Sequence, residues 1–75
     1  MIDDKRIKDK VDFFFEEKVK VHVVLEDRSW LNGYIEKKLK ENVYWFIEDK
    51  LKGVYLFLKD IYEIEEFKEV EKWKI

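Results

Sequence analysis

Apolar residues fall at two different periods along this chain, and the switch between them divides it. Ile7, Val11, Phe14 and Phe15 sit at i, i+4, i+7 and i+8, with Lys5, Arg6, Lys8, Asp9, Lys10 and Asp12 between them. That spacing gathers the apolar residues on one face and predicts a helix over residues 3–17. Asp3 or Asp4 suits the cap, and both favour the positive end of the helix dipole. Phe13 lies off the stripe and is expected to touch a second surface. From Lys18 the period becomes two. Val19, Val21, Val23 and Leu25 alternate with Lys20, His22 and Val24, the pattern of a half-buried strand of β-branched residues.

Glu26 to Ser29 form a polar turn. Leu31, Gly33, Ile35 and Leu39 then make one face of a second strand, with Trp30, Asn32, Tyr34, Glu36 and Lys38 on the other. Gly33 weakens this strand unless it must bend or another backbone must come close, and a small barrel needs such a bend to close. Lys40-Glu41-Asn42 is the next turn. In the third strand Val43, Trp45 and Ile47 alternate with Tyr44 and Phe46; both faces are apolar, so it belongs in the middle of the sheet. Glu48 to Gly53 turns the chain, with Gly53 expected at positive φ. Val54, Leu56 and Leu58 should fill the core from a fourth strand whose other face carries Tyr55 and Phe57. Lys59-Asp60 interrupts, and Ile61, Tyr62 and Ile64 form a short fifth strand. Phe67, Val70 and Trp73, spaced by three, suit a C-terminal helix or an extra strand. Consecutive strands joined by short turns close most easily as a small barrel. The expected fold is mainly β and one domain over 1–75: a helix at 3–17, a five-stranded, strongly bent antiparallel SH3-like barrel at 18–67, and a C-terminal extension at 68–75.

A chain of 75 residues buries only about 60–65% of its unfolded surface, so it needs a dense core or a partner. Without cysteine it has no disulfide and no thiolate metal site, and His22 alone cannot build a zinc site. Three Trp, four Tyr and six Phe point to an aromatic core and to self-association. The formal net charge of −2 excludes a protein that adheres to phosphate everywhere, so any nucleic-acid site is a local patch. Lys37-Lys38-x-Lys40 is the best basic cluster, diluted by Glu36 and Glu41. Abundant Lys and Glu, with no Ala, Thr, Gln or Pro, resemble hyperthermophile composition. No apolar run is long enough to span a bilayer, and Met1-Ile2-Asp3-Asp4 is acidic where a signal peptide is basic; a cytoplasmic location without membrane partners is expected. His22, among Lys18, Lys20 and Val24, reads as a surface histidine. No nucleophile–base pair accompanies it, so no enzyme, catalytic residue, metal, cofactor or small-molecule substrate is expected.

Val21-His22-Val23-Val24-Leu25-Glu26-Asp27 followed by Leu31-Asn32-Gly33-Tyr34-Ile35 resembles the first motif of the Sm-like (Lsm and Hfq-type) proteins. Lys59-Asp60-Ile61-Tyr62-Glu63-Ile64 resembles their second. The resemblance spans residues 4–66. It implies a ring of six or seven copies that binds single-stranded RNA at the loops facing its pore. By that resemblance Asn42 contacts a base, Lys59 a phosphate or base, and Asp60 orients Asn42. Lys38 and Lys40, from the basic cluster, either line an RNA path or keep the turn soluble. In that family strand four pairs with strand five of the neighbour, which would put Tyr55, Phe57, Ile61 and Tyr62 at a subunit interface; the N-terminal helix is the competing cover for that surface. Two departures weaken the RNA site. The family's Asp-x-x-Met-Asn is here Leu39-Lys40-Glu41-Asn42-Val43, matched only after a slip of one residue. Of the family's Arg-Gly-Asp or Arg-Gly-Asn only Lys59-Asp60 remains, and lysine lacks the planar fork that stacks on a base. The expected RNA contact is therefore weak. One rival is a protein-interaction or structural barrel without RNA, favoured by the pI of 5.5. Another is a DNA- or chromatin-binding SH3-like barrel, a class normally far more basic.

Overall fold

The computed structural model describes residues 4–50 and 52–68. They form α1 (Asp4–Glu17), β1 (Val21–Leu25), β2 (Trp30–Lys40), β3 (Val43–Glu48), β4 (Lys52–Phe57) and β5 (Ile61–Glu66), with a 3-10 turn at Leu58–Asp60. The strands make one antiparallel sheet in the order β4-β3-β2-β1-β5. The mainly β architecture expected from the sequence is present. Closure is not: among the described residues β4 and β5 each pair on one side only, which leaves two free edges there.

The sheet is nevertheless strongly bent, and the 3-10 turn shows it. Leu58 N donates to Asn42 O at the β2–β3 turn (2.9 Å), and Glu26 N donates to Asp60 O from the β1–β2 turn (2.9 Å). Those two turns lie at opposite ends of β2, roughly 30 Å apart if it were straight. Three residues span far less, so β2 must curl. Register shifts at Ile35/Lys37 and Lys38/Lys40 supply the curl, as bulges do. They also break the alternation. Leu39, expected on the core face, is 44% exposed.

The concave face holds the core. Val21, Val23, Ile35, Phe46, Leu56 and Ile64 are buried there, and α1 lays Ile7, Val11 and Phe14 across it. Tyr44 and Phe46 are the inward residues of β3, so Val43, Trp45 and Ile47 take the outer face. Phe13 stays exposed. The cap expected at Asp3 lies outside the described residues; Asp4 begins the helix. At the other end Lys18 adopts φ 57. Lys18 N and Val19 N return to the carbonyls of Phe15 and Phe14 (3.3 and 3.4 Å), a Schellman closure made with lysine where glycine is usual. Of the C-terminal helix or strand expected from Phe67, Val70 and Trp73, only Phe67 is described. Its N–H donates to Lys20 O (2.8 Å), and its ring lies 4.5 Å from the Lys20 ammonium. No helix among the described residues is long and apolar enough to cross a membrane.

Both glycines serve close approach. A Cβ on Gly33 would overlap the Ile47 carbonyl of β3, as the strand position suggested. Gly53 departs from expectation, because no glycine has positive φ. The indole of Trp45 occupies the space above it, and Lys52, at φ 73, makes the turn instead.

Polar contacts fix α1 to the sheet. The Tyr44 hydroxyl donates to Asp12 Oδ1 (2.8 Å), and Lys8 Nζ donates to Asp12 Oδ2 (3.3 Å). Burial, then the Asp12 carboxylate, push the Tyr44 phenol up to about 12. Burial alone would raise the Asp12 pKa, but hydrogen bonds from Tyr44 and Lys8 outweigh it and hold the carboxyl below its usual range. At the β5 edge Arg6 and Lys10 reach Glu63 (3.1 and 3.4 Å), and Lys10 also reaches Glu65 (2.5 Å).

Gly33→Ala is expected to cost about 3 kcal/mol, because backbone rather than a flexible side chain must move; urea melts check this. Tyr44→Phe should cost about 1–2 kcal/mol at neutral pH. The raised phenol pKa stabilises the fold below its unfolded value near 10 and ceases to as pH rises through about 12. The stability gap between wild type and Tyr44→Phe should therefore narrow across that interval.

Candidate nucleic-acid interface

The β2–β3 ladder runs to Lys40↔Val43, which leaves Glu41 and Asn42 as a two-residue turn. Asn42 adopts φ 68, a conformation asparagine tolerates better than other side chains. That accounts for an asparagine here on local grounds alone. The turn is then tied to the segment after β4 by the Leu58 N to Asn42 O bond, 2.9 Å. Through that bond two residues far apart in sequence, Asn42 and Lys59, come to line one cleft of about 260 Å³, together with Val43, Phe57 and Leu58.

The cleft combines three kinds of surface. Phe57 offers an aromatic face. Asn42 offers an amide that both donates and accepts. Lys59 brings an exposed ammonium 6.0 Å from the Phe57 ring centroid. Stacking on an aromatic face, pairing of polar edges and charge against phosphate are the elements of single-strand recognition. A second cleft of about 400 Å³ adjoins it, sharing Asn42 and Leu58 and adding Lys5, Lys8, Asp9 and Glu41. Its lysines are partly neutralised, Lys5 by Asp9 (3.2 Å) and Lys8 by Asp12 (3.3 Å).

Other candidates fall elsewhere. Asp60 faces the β1–β2 turn with Leu25, Glu26 and Asp27, and its carboxylate lies 3.7 Å from Lys59 Nζ. No hydrogen bond joins it to Asn42 among the described residues. The curl of β2 is the reason: it draws the β1–β2 turn up to Asp60. Lys38, opposite Tyr44, places its charge beside Asp12 at the helix junction. Lys40 is exposed at the turn, opposite Val43. His22 is half-buried on the outer face, with Nδ1 2.6 Å from Asn32 Oδ1 and its ring 5.6 Å from that of Trp30.

Of the residues expected at an interface, Tyr55 is 64% exposed and Phe57 40%, both on the outer face of β4. Trp45 meets Tyr55 edge-on at 5.2 Å, and Tyr55 lies 6.4 Å from Phe57. Tyr62 is exposed on β5, with the Arg28 guanidinium 4.3 Å from its ring centroid. Ile61 differs. It is 1% exposed and belongs to the core, because a register shift between Val24 and Leu25 brings it opposite Leu25. Sequence reasoning missed Phe57 as a cleft wall and Lys5 and Lys8 as its neighbours, since no local pattern announces that α1 and the β2–β3 turn adjoin.

No protein-family model matches the chain, and no curated protein matches it.

Asn42 carries both a turn and an amide, and two substitutions separate them. Asn42→Gly should keep the left-handed turn and leave the thermal midpoint nearly unchanged or slightly raised. Asn42→Ala should lower stability by roughly 1 kcal/mol. Thermal melts of the two variants check this.

Proposed function

We propose that the protein is an Sm-like RNA-binding subunit that assembles into a homo-oligomeric ring and contacts single-stranded RNA through the Asn42–Phe57–Lys59 cleft. The observation that carries the reading is the convergence of Asn42 and Lys59 in one cleft beside an aromatic wall. Six or seven copies of a weak site act as a strong one when a single RNA touches several, because each later contact is intramolecular. Self-association is supported by two sheet edges left unpaired among the described residues and by the exposed Tyr55, Phe57 and Tyr62 beside them. Unpaired edges recruit further strands unless something blunts them.

A second reading, a small-barrel interaction module without RNA binding, is favoured by the position of Asp60, which leaves the Asn42 amide without the partner the family resemblance implies.

Light scattering on the purified protein should give a mass of six or seven protomers. Anisotropy titrations with labelled oligo(U) and oligo(A) should show an affinity that falls steeply with salt. Lys59→Ala should shallow the salt slope by about one contact per engaged protomer. Phe57→Leu should weaken binding about tenfold through lost stacking. A ring with no affinity for either RNA at low salt would leave the interaction-module reading.

A further inference from the structure

The convex face of the sheet is apolar where a strand face turned to water is ordinarily polar. Across successive rows of the ladder, Tyr34 stands beside Ile47, Trp45 beside Tyr55, and Val43 beside Phe57. Leu39 joins them, turned out by the register shift between Lys38 and Lys40. Tyr34, Leu39, Tyr55 and Phe57 are all exposed, more than half of the large apolar side chains that are so among the described residues. The rings are held in place by one another. The Trp45 indole lies over Gly53, Tyr55 meets it edge-on at 5.2 Å, and Phe57 follows at 6.4 Å. The charge beside them opposes that of the whole molecule, whose formal net is −2. The charged residues that the ladder places in these rows are lysines, Lys37 opposite Trp45 and Lys40 opposite Val43. Lys59 follows, with its ammonium 6.0 Å from the Phe57 ring centroid. Glu36, at the first register shift, and Glu41, in the turn, dilute this charge without cancelling it.

We propose that this face docks on an anionic lipid surface, with Tyr34, Leu39, Tyr55 and Phe57 entering the headgroup layer and Lys37, Lys40 and Lys59 lying against lipid phosphates. Tyrosine suits that layer because its ring is apolar and its hydroxyl stays wet. Lysines close to an anionic leaflet add an attraction that fades within a Debye length. Shape favours the same partner. A convex face points its side chains outward and encloses nothing, which fits a soft, extended surface better than a peptide that needs a groove. The lysines also disfavour a second copy, since two such faces brought together would set Lys37 and Lys40 of one against those of the other. The expectation of no membrane partner rested on the lack of a spanning run, which a peripheral contact does not need. The inference is independent of the RNA reading, and a ring built through the sheet edges leaves this face open.

Flotation of the intact protein with two sets of vesicles tests this, one of phosphatidylcholine alone and one of phosphatidylcholine and phosphatidylglycerol in equal parts. The protein should float with the anionic set at low salt, bind the neutral set at least about tenfold more weakly, and leave the anionic set as salt rises. Lys37→Glu reverses one charge of the contact and should weaken anionic binding about tenfold or more. Leu39→Glu, which also removes an inserted side chain, should weaken it at least as much. Phe13→Ser is the control: Phe13 is exposed on α1, outside these rows, and its loss should leave vesicle binding unchanged. Circular dichroism of each variant confirms that the exposed substitutions leave the chain folded. No flotation with either set, equal flotation with both, or a loss in Phe13→Ser as large as in Leu39→Glu would overturn the proposal. Oligo(U) binding that falls in Lys37→Glu and Leu39→Glu while vesicles stay unbound would overturn it too, and would give the face to RNA.

Discussion

At Gly33 the backbone of β2 lies against the Ile47 carbonyl of β3, closer than any residue with a side chain permits. Gly33 pairs with Val21 of β1 on one side and Glu48 of β3 on the other, so it sits where the two halves of the sheet meet. Tight approach at that point, with the register shifts further along β2, lets a single sheet fold over its own concave face. Without the curl, the 3-10 turn could not reach both the Asn42 and the Glu26 turns. The cleft that holds Asn42 and Lys59 would then not form. The candidate site is thus a product of sheet curvature more than of any local motif.

The helix supplies what the open sheet lacks. A closed barrel covers its core with its own strands; here α1 lays Ile7, Val11 and Phe14 across the open face. Tyr44 then needs a partner for its hydroxyl, and Asp12 on the covering helix provides it. A buried phenol without an acceptor would cost more than the bond itself contributes, so the pair also fixes how α1 is seated. Arg6 and Lys10 hold the same helix to β5. These exposed pairs contribute little stability, but they occupy two of the three glutamates on that edge.

The fold was largely legible in the sequence because its signal is periodic. The helix stripe, the change of period at Lys18 and the alternation in β1, β3 and β4 each follow from which face must be dry. The misreadings occur where periodicity fails. Leu39 was placed inward by counting twos, and the bulges in β2 turn it out. Gly53 looked like a turn glycine, yet it makes room for Trp45 across the ladder, a contact invisible to local rules. Ile61 looked like an edge residue until a register shift put it in the core. Asn42 and Lys59 could be named from the family resemblance. That Phe57 stands between them, and that Asp60 faces away, depends on the long-range bond between Leu58 and Asn42.

The chain turns four of its corners with non-glycine residues in the left-handed region: Lys18, Arg28, Asn42 and Lys52. At Lys18, Arg28 and Lys52 such a corner stores roughly 1–2 kcal/mol of steric strain, and at Asn42 less, because asparagine tolerates the left-handed region. The side chains are not idle there. Lys18 lies over Phe15 and Arg28 over Tyr62, Asn42 lines the cleft, and Lys52 stands at the free edge of β4. The chain therefore holds a reserve of stability that evolution could release by single changes to glycine, at the expense of the charge or amide that each corner presents. A lineage in which those side chains served nothing would be free to relax these corners; one that used them would not.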